Sequence, residues 1–383
     1  MKYYIIAGEA SGDLHGANLM KALMKQDPQA EIRFWGGDRM AAVGGTPVRH
    51  IRDLAYMGFV EVTAHLRTIE ANIRFCKQDI LQNNPDVCVF IDYPGFNLGI
   101  AKFTHQQGFK NVYYISPQVW AWKKGRLKAM RRDLDALCYI LPSERDFFAH
   151  ASMPQAQYVG HPLLDEVERY RLEASNTSHT DSSDTRPVVA LLPGSRKQEL
   201  QRMLPPMLLL ASHHPEYQFQ IAGMQLLGES FYRQVMDRCG LHPDNVEVLL
   251  DQTYPILSHS FAAVVCSGTA TLETAIFRVP QMVCYKANAV SVAIARRLVK
   301  IKYISLVNII SDAPVVKELI QSDFSIDTLE SEFNNITIDN DYRQQMLLGY
   351  DKVIDLLGNR GASERTAQIV AQTALTKKNI SKK

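Results

Sequence analysis

The chain has 383 residues, of which 46% are hydrophobic, so it can bury a sizeable core in each of two α/β domains and is not a disordered protein. Its formal net charge of +2 is too small to predict nucleic-acid binding. The 6 cysteines lie scattered without CxxC spacing, and no apolar run approaches the roughly 18 residues of a membrane span. We therefore expect reduced core cysteines in a cytoplasmic protein whose membrane contact, if any, is peripheral.

The amino-terminal strand predicted over 3–7 leads directly into the segment GEASGD, Gly8–Asp13, after which apolar spacing predicts a helix from His15. This segment matches neither a dinucleotide fingerprint nor a P-loop. A loop after the first strand of a parallel sheet still lies at the edge where ligands bind. The polar residues expected at that edge are Glu9, Ser11, Asp13 and His15, although Asp13 has a second interpretation as a helix cap.

A strongly apolar strand, Val87–Ile91, ends in Asp92 and a Pro-Gly turn, in the run IDYPGFN. A carboxylate at the carboxyl end of a buried strand is well placed as a catalytic base, because burial raises its pKa and makes it a better proton acceptor. The structural alternative is that Asp92 caps the helix predicted to begin near Phe96.

Two further segments indicate a lipid-like or anionic ligand. The run AYMGFVEV at 55–62 is apolar but interrupted by Gly58, which favours an exposed loop that contacts a lipid chain or a bilayer. The loop SPQVWAW at 116–122 carries two tryptophans, and six cations follow within positions 123–132, although a solvated helix face is the alternative for these cations. The residues expected to meet a lipid are Met57, Phe59, Trp120, Trp122, Lys123 and Lys124.

The second half of the chain repeats the α/β pattern after a polar segment, 171–186, that is typical of a linker. The run VVALLPGSRKQE at 188–199 combines a buried strand, a Pro-Gly turn and a helix start, which suits a phosphate or pyrophosphate. The run SGTATLE at 267–273 repeats this arrangement, although either turn alone could be an ordinary strand-to-helix connection. The anion-binding residues expected here are Gly194, Ser195, Arg196, Ser267, Gly268 and Thr269, with Glu273 placed to bind sugar hydroxyls.

Alternating strands and helices along the chain predict an α/β protein. Further strands are predicted at 32–36, 112–115, 137–141, 218–222, 246–250, 262–266 and 280–285. Further helices are predicted at 200–213, around Glu318, and at 342–357 and 362–375.

Taken together, seven segments resemble lipid A disaccharide synthases in residues and in order. They are GEASGD, IDYPGFN, SPQVWAW, GHPLLD at 160–165, LLPGSRKQE, SGTATLE and SLVNII at 305–310. The resemblance implies a GT-B fold, in which two Rossmann-like doubly wound domains face each other across a cleft. It further implies that residues 1–170, joined by helices 342–376, bind the lipid acceptor and that residues 187–341 bind the UDP-sugar.

The resemblance also implies a reaction. Such enzymes transfer 2,3-diacylglucosamine from UDP to the 6-hydroxyl of 2,3-diacylglucosamine 1-phosphate, lipid X, with inversion. The products are the β-1,6-linked lipid A disaccharide 1-phosphate and UDP, in lipopolysaccharide biosynthesis. The enzymes need no metal and no other cofactor, and they act peripherally on the anionic inner face of the inner membrane. The sequence leaves the oligomeric state open, a homodimer included.

The roles of individual residues follow from the same resemblance. Asp92 is expected to be the base, with Glu9 and His15 as supports or rivals. Family members commonly carry a second acid where this chain has Gly95, which concentrates the base role on Asp92. The residues matched to the donor are Ser195, Arg196, Ser267, Gly268 and Thr269 for the diphosphate, Glu273 for the ribose, and Asn308 for the nucleotide or the sugar.

Two alternatives stay open. A UDP-N-acetylglucosamine 2-epimerase shares the architecture and a similar nucleotide half, but it needs no acyl-binding surface such as the one predicted near Trp120. A catalytically silent lipid-binding protein of the same fold is disfavoured by the presence of Asp92, Arg196 and Glu273. Two Asp-x-Asp triplets, at 133–135 and 339–341, do not follow predicted strands, so we predict no metal site.

Overall fold

The computed structural model describes residues 1–54, 66–119, 125–175, 185–286 and 302–376. The chain divides into two compact units. The first unit comprises residues 1–162 together with the chain from Asn359 onward, and the second comprises Leu163–Gly358. Within the described ranges, no helix combines the length and the apolar character that a bilayer span requires.

The first unit is built on a 7-stranded parallel sheet. Its strands are β1 (Lys2–Ala7), β2 (Glu31–Gly36), β3 (Thr46–His50), β4 (Val87–Ile91), β5 (Lys110–Tyr114), β6 (Ala136–Tyr139) and β7 (Ala156–Tyr158). They lie in the order β3-β2-β1-β4-β5-β6-β7. Every side chain of β4 is buried, as expected for a central strand of a parallel sheet that is covered on both faces.

The second unit contains a 6-stranded parallel sheet. Its strands are β8 (Val188–Leu192), β9 (Gln218–Gly223), β10 (Val246–Leu250), β11 (Ser260–Cys266), β12 (Gln281–Tyr285) and β13 (Glu318–Ile320). They lie in the order β10-β9-β8-β11-β12-β13. The run at 188–192 that the sequence marks as a buried strand is thus an interior strand of this sheet.

Helices connect the strands in both units. The helices of the amino-terminal half are α1 (Ala10–Gln26), α2 (Asp38–Val43), α3 (Leu66–Asn83), α4 (Pro94–Gln106), α5 (Arg126–Asp133), α6 (Glu144–His150) and α7 (Pro162–Ala174). Those of the carboxyl-terminal half are α8 (Lys197–His213), α9 (Glu229–Cys239), α10 (Thr253–His259), α11 (Thr269–Ile276), α12 (Leu306–Ser311), α13 (Ile326–Ile338), α14 (Asn340–Leu357) and α15 (Ala362–Leu375).

Strand register brings the first unit's candidate residues to one edge of its sheet. Ile91 at the end of β4 lies opposite Ala7 of β1 and opposite Tyr114 of β5. The chain therefore leaves these three neighbouring strands at the same level, and the segments that begin at Gly8 and Asp92 start side by side.

Register has the same effect in the second unit. Val265 of β11 pairs with Leu192 of β8, and Cys266 pairs with Cys284 of β12. The turns at 193–196 and 267–269 consequently leave adjacent strands at one edge of the sheet. This edge is where ligands bind in open α/β sheets.

Helix α15 completes the first unit by packing on α1. Gln26 at the end of α1 donates from Nε2 to the carbonyl of Glu364, at 3.3 Å. Arg365 donates from Nε to the carbonyl of Val159, at 2.8 Å, and from Nη2 to that of Asn359, at 2.7 Å. The last helix is therefore tied both to the first helix and to the segment that follows β7.

The predicted elements are mostly confirmed, with differences that have physical reasons. Strands β3, β7 and β13 were not predicted, because β3 contains Pro47 and the other two are only 3 residues long. The prediction of a helix around Glu318 is wrong, since this residue begins β13. Helix α1 begins at Ala10, so the last four residues of the predicted loop Gly8–Asp13 are its first turn, closed by an Asp13 N–H to Glu9 carbonyl bond of 2.9 Å.

The division of the chain differs from the predicted domain boundaries. The first unit ends at Pro162 rather than at 170, so most of α7 belongs to the second unit. Helix α14 also belongs to the second unit, and of the predicted pair only α15 lies in the first. The predicted linker at 171–186 is helical up to Ala174, and its positions 176–184 lie outside the described residues.

Candidate active site

Asp92 follows β4 in a backbone conformation that residues other than glycine rarely adopt. Its φ is +42° and that of Tyr93 is +50°, both in the left-handed region. The Asp92 N–H donates to the Tyr114 carbonyl at 3.0 Å. The Asp92 carbonyl accepts from Asn97 Nδ2 at 2.8 Å and from Tyr113 Oη at 2.5 Å. Strain held by surrounding contacts is typical of functional sites, and here it fixes the backbone that carries the carboxylate.

The Asp92 carboxylate lies near that of Glu9. The pKa of Asp92 is raised to about 6, mainly by burial and then by the charge of Glu9, against a hydrogen bond from the Tyr93 N–H that lowers it. Asp92 is therefore a stronger base than an ordinary carboxylate and is still mostly ionised at pH 7. The structure brings together these two residues that the sequence placed at one edge.

Gly8 allows the ring of Tyr93 to pack against the end of β1. A Cβ atom at Gly8 would lie 2.3 Å from Cδ1 of Tyr93, a distance no methyl group tolerates. Tyr93 also stacks on Phe96, with ring centroids 5.8 Å apart, and its hydroxyl donates to the Leu54 carbonyl at 3.4 Å. Burial and the charge of Glu9 raise the pKa of Tyr93. The ring thus forms a fixed wall beside the two carboxylates.

His15 is buried on α1, with its ring 6.5 Å from that of Tyr114 in an edge-on arrangement. The pKa of His15 is lowered to about 4, mainly by burial and then by the charge of Arg39. In the part of the chain that the structure describes, Nδ1 of His15 has no hydrogen-bond partner. Burial likewise lowers the pKa of His161 to about 3, with His15 as a second cause. His15 is therefore neutral at pH 7 and is a weaker base than Asp92.

Asp13 has a structural role. Its buried carboxylate accepts from the backbone N–H groups of Gly37 at 2.6 Å, Arg39 at 3.1 Å and Met40 at 3.1 Å. These donors belong to the first turn of α2, which has no side-chain cap of its own. The alternative interpretation of Asp13 as the cap of its own helix is wrong, because Asp13 lies within the first turn of α1 and its carboxylate caps α2 instead.

Glu144 and Ser116 form a buried polar pair that the sequence analysis did not identify. Glu144 begins α6, is 1% exposed, and accepts from the Leu141 N–H at 3.3 Å. Burial raises its pKa, and the net value is about 8 even though hydrogen bonds from Leu141 and Ser116 lower it. The carboxyl group is thus mostly protonated at pH 7. An acid after Pro142-Ser143 resembles any helix start in sequence, so the sequence carried no signal of its burial.

The turn after β8 presents a cation and a helix start to solvent. Gly194 has a φ of +106°, and a Cβ there would lie 2.9 Å from Oε2 of Glu199 and 3.4 Å from Sγ of Cys266. Arg196 caps α8 through its backbone, its side chain is 59% exposed, and its Nη1 lies 3.6 Å from Oε1 of Glu199. Ser195 is also exposed. The arrangement can bind an anion, which would take the place of Glu199 beside Arg196.

The turn after β11 offers fewer hydrogen-bond donors to an anion than the sequence predicted. The Ser267 N–H donates to the Cys284 carbonyl at 3.0 Å, and the Ser267 hydroxyl donates to the Ile304 carbonyl at 2.9 Å. Both donors of Ser267 are therefore used within the unit. The exposed residues Gly268 and Thr269 begin α11, and their amides are the ones that can point to an anion.

Glu273 lies on α11, one turn beyond Thr269, and is partly buried. One of its oxygens, Oε1, accepts a hydrogen bond from the hydroxyl of Tyr254 at 3.0 Å. A carboxylate offers about four lone-pair positions, so a group of this kind can accept from more than one donor at a time. The residue predicted to bind a sugar is thus held near the turn at 267–269.

Asn308 is 1% exposed, and its side chain bonds within its own loop. Its Nδ2 donates to the Val316 carbonyl at 2.9 Å and to Oε1 of Glu318 at 3.0 Å, and its Oδ1 accepts from the Val316 N–H at 3.0 Å. Glu318 also accepts from the N–H groups of Ile304 and Ser305. Asn308 therefore shapes the loop behind Ser267 rather than presenting an amide to a ligand.

The residues predicted to meet a lipid cannot be placed in this site. Met57, Phe59, Trp120, Trp122, Lys123 and Lys124 all lie outside the described residues. Among the residues that are described, no group of three or more His, Cys, Asp or Glu side chains is arranged to hold a metal ion.

Sequence comparison places the chain in a known family. The family model of lipid-A-disaccharide synthetase matches residues 3–373. The lipid-A-disaccharide synthase of Geobacter sulfurreducens is 35% identical over 372 residues, covering 96% of each chain. That of Syntrophus aciditrophicus is 37% identical over 379 residues, covering 97% of each chain.

Structural comparison agrees on the fold. The UDP-GlcNAc 2-epimerase of Neisseria meningitidis, bound to UDP-GlcNAc, aligns with a TM-score of 0.62 at 12% identity, covering 98% of this chain and 100% of that chain. The glycosyltransferase of kitacinnamycin aligns with a TM-score of 0.64 at 14% identity, covering 97% and 98%. At such identities both similarities concern the fold alone, and the epimerase alternative gains nothing from them. The chain has the GT-B fold, is a glycosyltransferase, and belongs to the lipid-A-disaccharide synthetase family.

Proposed function

We propose that the chain transfers 2,3-diacylglucosamine from its UDP ester to the 6-hydroxyl of 2,3-diacylglucosamine 1-phosphate, with inversion. The observation that carries the catalytic part of this proposal is Asp92, an ionised carboxylate of raised pKa on a strained and hydrogen-bonded backbone. A general base needs a pKa near the working pH and a fixed position, and Asp92 has both.

In the proposed step, Asp92 removes the proton of the acceptor 6-hydroxyl as its oxygen attacks C1 of the donor sugar. The bond from O6 to C1 forms, the bond from C1 to the β-phosphate oxygen breaks, and UDP leaves with the electron pair. A single displacement of this kind inverts the configuration at C1. Glu9 raises the basicity of Asp92 through its charge, and His15 lines the same edge as a neutral group.

In this proposal the donor nucleotide binds to the second unit. Arg196, Ser195 and the amides that follow Gly194 would bind the diphosphate, together with the amides of Gly268 and Thr269. Ser267 and Asn308 would act indirectly, by shaping the turn at 267–269. Glu273 would accept hydrogen bonds from the ribose.

We further propose that the leaving diphosphate needs no metal ion and the reaction no other cofactor. The guanidinium of Arg196 and two helix starts supply positive charge and N–H donors where the diphosphate charge develops. Activity that survives an excess of chelator supports this part, whereas activity restored only by a divalent cation contradicts it.

The acceptor is lipid, so we also propose peripheral attachment to an anionic membrane surface through Met57, Phe59, Trp120, Trp122, Lys123 and Lys124. Cosedimentation with anionic vesicles at low salt and release at high salt would support it, because electrostatic attachment is screened. Absence of cosedimentation at low salt contradicts it. A homodimer is a further proposal, and light scattering of the purified protein tests it.

The experiment that tests the function is incubation of the protein with UDP-2,3-diacylglucosamine and lipid X, with chelator, followed by mass spectrometry. We expect disaccharide and UDP from the unaltered chain. Asp92→Asn keeps the shape of the side chain but cannot accept the proton, so we expect a loss of roughly two or more orders of magnitude. Asp146→Asn, which removes an exposed carboxylate on α6, is the matched control and should keep full activity.

Two results would change the proposal in different ways. Absence of disaccharide together with epimerisation of UDP-N-acetylglucosamine would replace the function. An active Asp92→Asn variant would keep the function and transfer the base role to Glu9 or His15.

A further inference from the structure

The hydroxyl contact on Glu273 comes from an element outside the two anion-binding turns. Tyr254 lies on α10, which precedes β11, whereas Glu273 lies on α11, which follows it. The hydroxyl of Tyr254 donates to Oε1 of Glu273 at 3.0 Å. Hydrogen bonds to charged acceptors are stronger than neutral ones, so this contact can hold a carboxylate in one rotamer.

The ring of Tyr254 is itself held in place without help from Glu273. It packs against Phe277, with centroids 5.2 Å apart, and against the edge of Tyr170, with centroids 5.7 Å apart. Tyr170 and Phe277 also contact each other, at 5.8 Å. Arg171 lies 5.7 Å from the centroid of Phe277 and donates to the Ile276 carbonyl at 2.9 Å.

The two ends of Tyr254 therefore contact Glu273 on α11 and Phe277, the residue that directly follows this helix. Phe277 follows Glu273 by four positions, which is about one helical turn, and its N–H donates to the Glu273 carbonyl at 3.0 Å, so the two residues lie on the same side of the helix. The aromatic contacts fix the ring at Phe277, and the hydroxyl reaches Glu273. Because a tyrosine side chain has only two rotatable bonds, a fixed ring leaves its hydroxyl little freedom.

A carboxylate held in this way suits a ligand with adjacent hydroxyl groups. A ribose presents two neighbouring O–H donors, and a carboxylate can accept both if its plane is oriented toward them. An unrestrained glutamate loses side-chain rotamer freedom when it binds a ligand, and that loss opposes binding. A glutamate already held by a phenol loses less.

We propose that Tyr254 is a positioning residue that orients Glu273 for the 2′- and 3′-hydroxyls of the donor nucleotide, and so contributes to the choice of ribonucleotides. The inference rests on the proposed ribose contact of Glu273. It assigns to Tyr254 no contact with the substrate and no part in proton transfer.

The test measures the affinity of the full chain for UDP and for 2′,3′-dideoxy-UDP by calorimetry. Tyr254→Phe removes only the hydroxyl, and we expect it to weaken UDP binding roughly fivefold, the usual size of one lost hydrogen bond, while dideoxy-UDP binding stays unchanged. Tyr170→Phe is the matched control, since it removes a hydroxyl from the same aromatic cluster whose partner is Ser258, at 3.3 Å, and should change neither affinity. Thermal unfolding of each variant checks that the cluster remains packed.

The Glu273→Gln variant shows whether a negative result concerns the positioning role of Tyr254 or the ribose contact of Glu273. If Glu273→Gln weakens UDP binding and Tyr254→Phe does not, or if Tyr254→Phe weakens both nucleotides equally, the positioning role is wrong. If Glu273→Gln leaves UDP affinity unchanged, the ribose contact is wrong and the inference is overturned with it, whereas disaccharide synthesis by the unaltered chain would still support the proposed function. In steady-state kinetics, Tyr254→Phe should raise KM for the donor and leave kcat nearly unchanged.

Discussion

Asp92 has two properties that its residue type does not supply by itself. The left-handed backbone at Asp92 and Tyr93 costs free energy of roughly 1–3 kcal/mol at each residue, and contacts from Asn97 and Tyr113 hold it. The charge of Glu9 supplies the other property, because a neighbouring carboxylate makes the ionised form less favourable and the group more basic.

The coupling of Asp92 to Glu9 predicts a specific pH dependence of activity. With Asp92 as the proposed base, activity would need its ionised form, so kcat/KM should fall as the pH drops below about 6, the raised pKa of this group. Replacing Glu9 by Gln removes one cause of that rise, and the acidic limb should move to lower pH. A pH–rate profile of each variant measures this. Glu31→Gln, at a carboxylate that is 73% exposed, is the control and should leave the limb in place. An acidic limb that does not move in Glu9→Gln would contradict the coupling.

Gly8 predicts a steric effect at the same edge. Gly8→Ala places a methyl group within 2.3 Å of the Tyr93 ring, and we expect a loss of stability of roughly 1–3 kcal/mol from overpacking. Gly99→Ala is the control, because a Cβ there meets nothing within 4 Å. On helix α4 that change should be neutral or slightly stabilising. Urea unfolding of both variants compares them, and equal stabilities would show that the ring moves aside freely.

At the scale of elements, Asp13 links α1 to α2. Asp13→Ala leaves the N–H groups of Gly37, Arg39 and Met40 without their acceptor, and we expect a loss of roughly 2–4 kcal/mol in the free energy of unfolding. Asp38→Ala removes a 77% exposed carboxylate from α2 itself and should cost far less. Denaturant titration distinguishes the two. A small effect at Asp13 would mean that water replaces the carboxylate.

The sequence predicted the elements with strong apolar runs. Strands β1, β4 and β8 are such runs, and each lies inside its sheet, where burial on both faces demands that composition. The edge strand β3 was missed, because an edge strand can contain Pro47 and needs no apolar run. Strand β13 pairs only with β12, and its 3 residues are too few to show periodicity.

The candidate site, like the fold, was only partly predictable from the sequence. Glu9 and Asp92 each follow a predicted strand of a parallel sheet, and the ends of such strands meet at one edge. The sequence therefore predicted that these two residues share an edge, as the register of β1 and β4 shows. Side-chain partners could not be predicted, because they come from distant parts of the chain. The contact of Tyr254 with Glu273, the burial of Glu144 and the use of both Ser267 donors are of this kind.

At the scale of the whole molecule, we propose that the two units bind different ligands. This proposal predicts which amides are protected when UDP binds. Hydrogen exchange in the presence of saturating UDP should slow at 193–200 and 267–273 in the second unit, because ligand binding stabilises the elements that it contacts. Amides of β1 and β4 in the first unit should exchange as before. Arg196→Ala should reduce the protection at both turns. Protection confined to the first unit would reverse the assignment.

Helix α15 has a consequence for synthesis on the ribosome. The chain makes β1 to β7 first, then the whole second unit, and only afterwards the helix whose Arg365 bonds to Val159. At roughly 5–20 residues per second, the roughly 200 intervening residues take about 10–40 seconds. During that time α15 is not yet available to cover its face of α1. The amino-terminal unit is therefore begun first and finished last, and a nascent chain stalled before residue 359 should need a chaperone to remain undegraded.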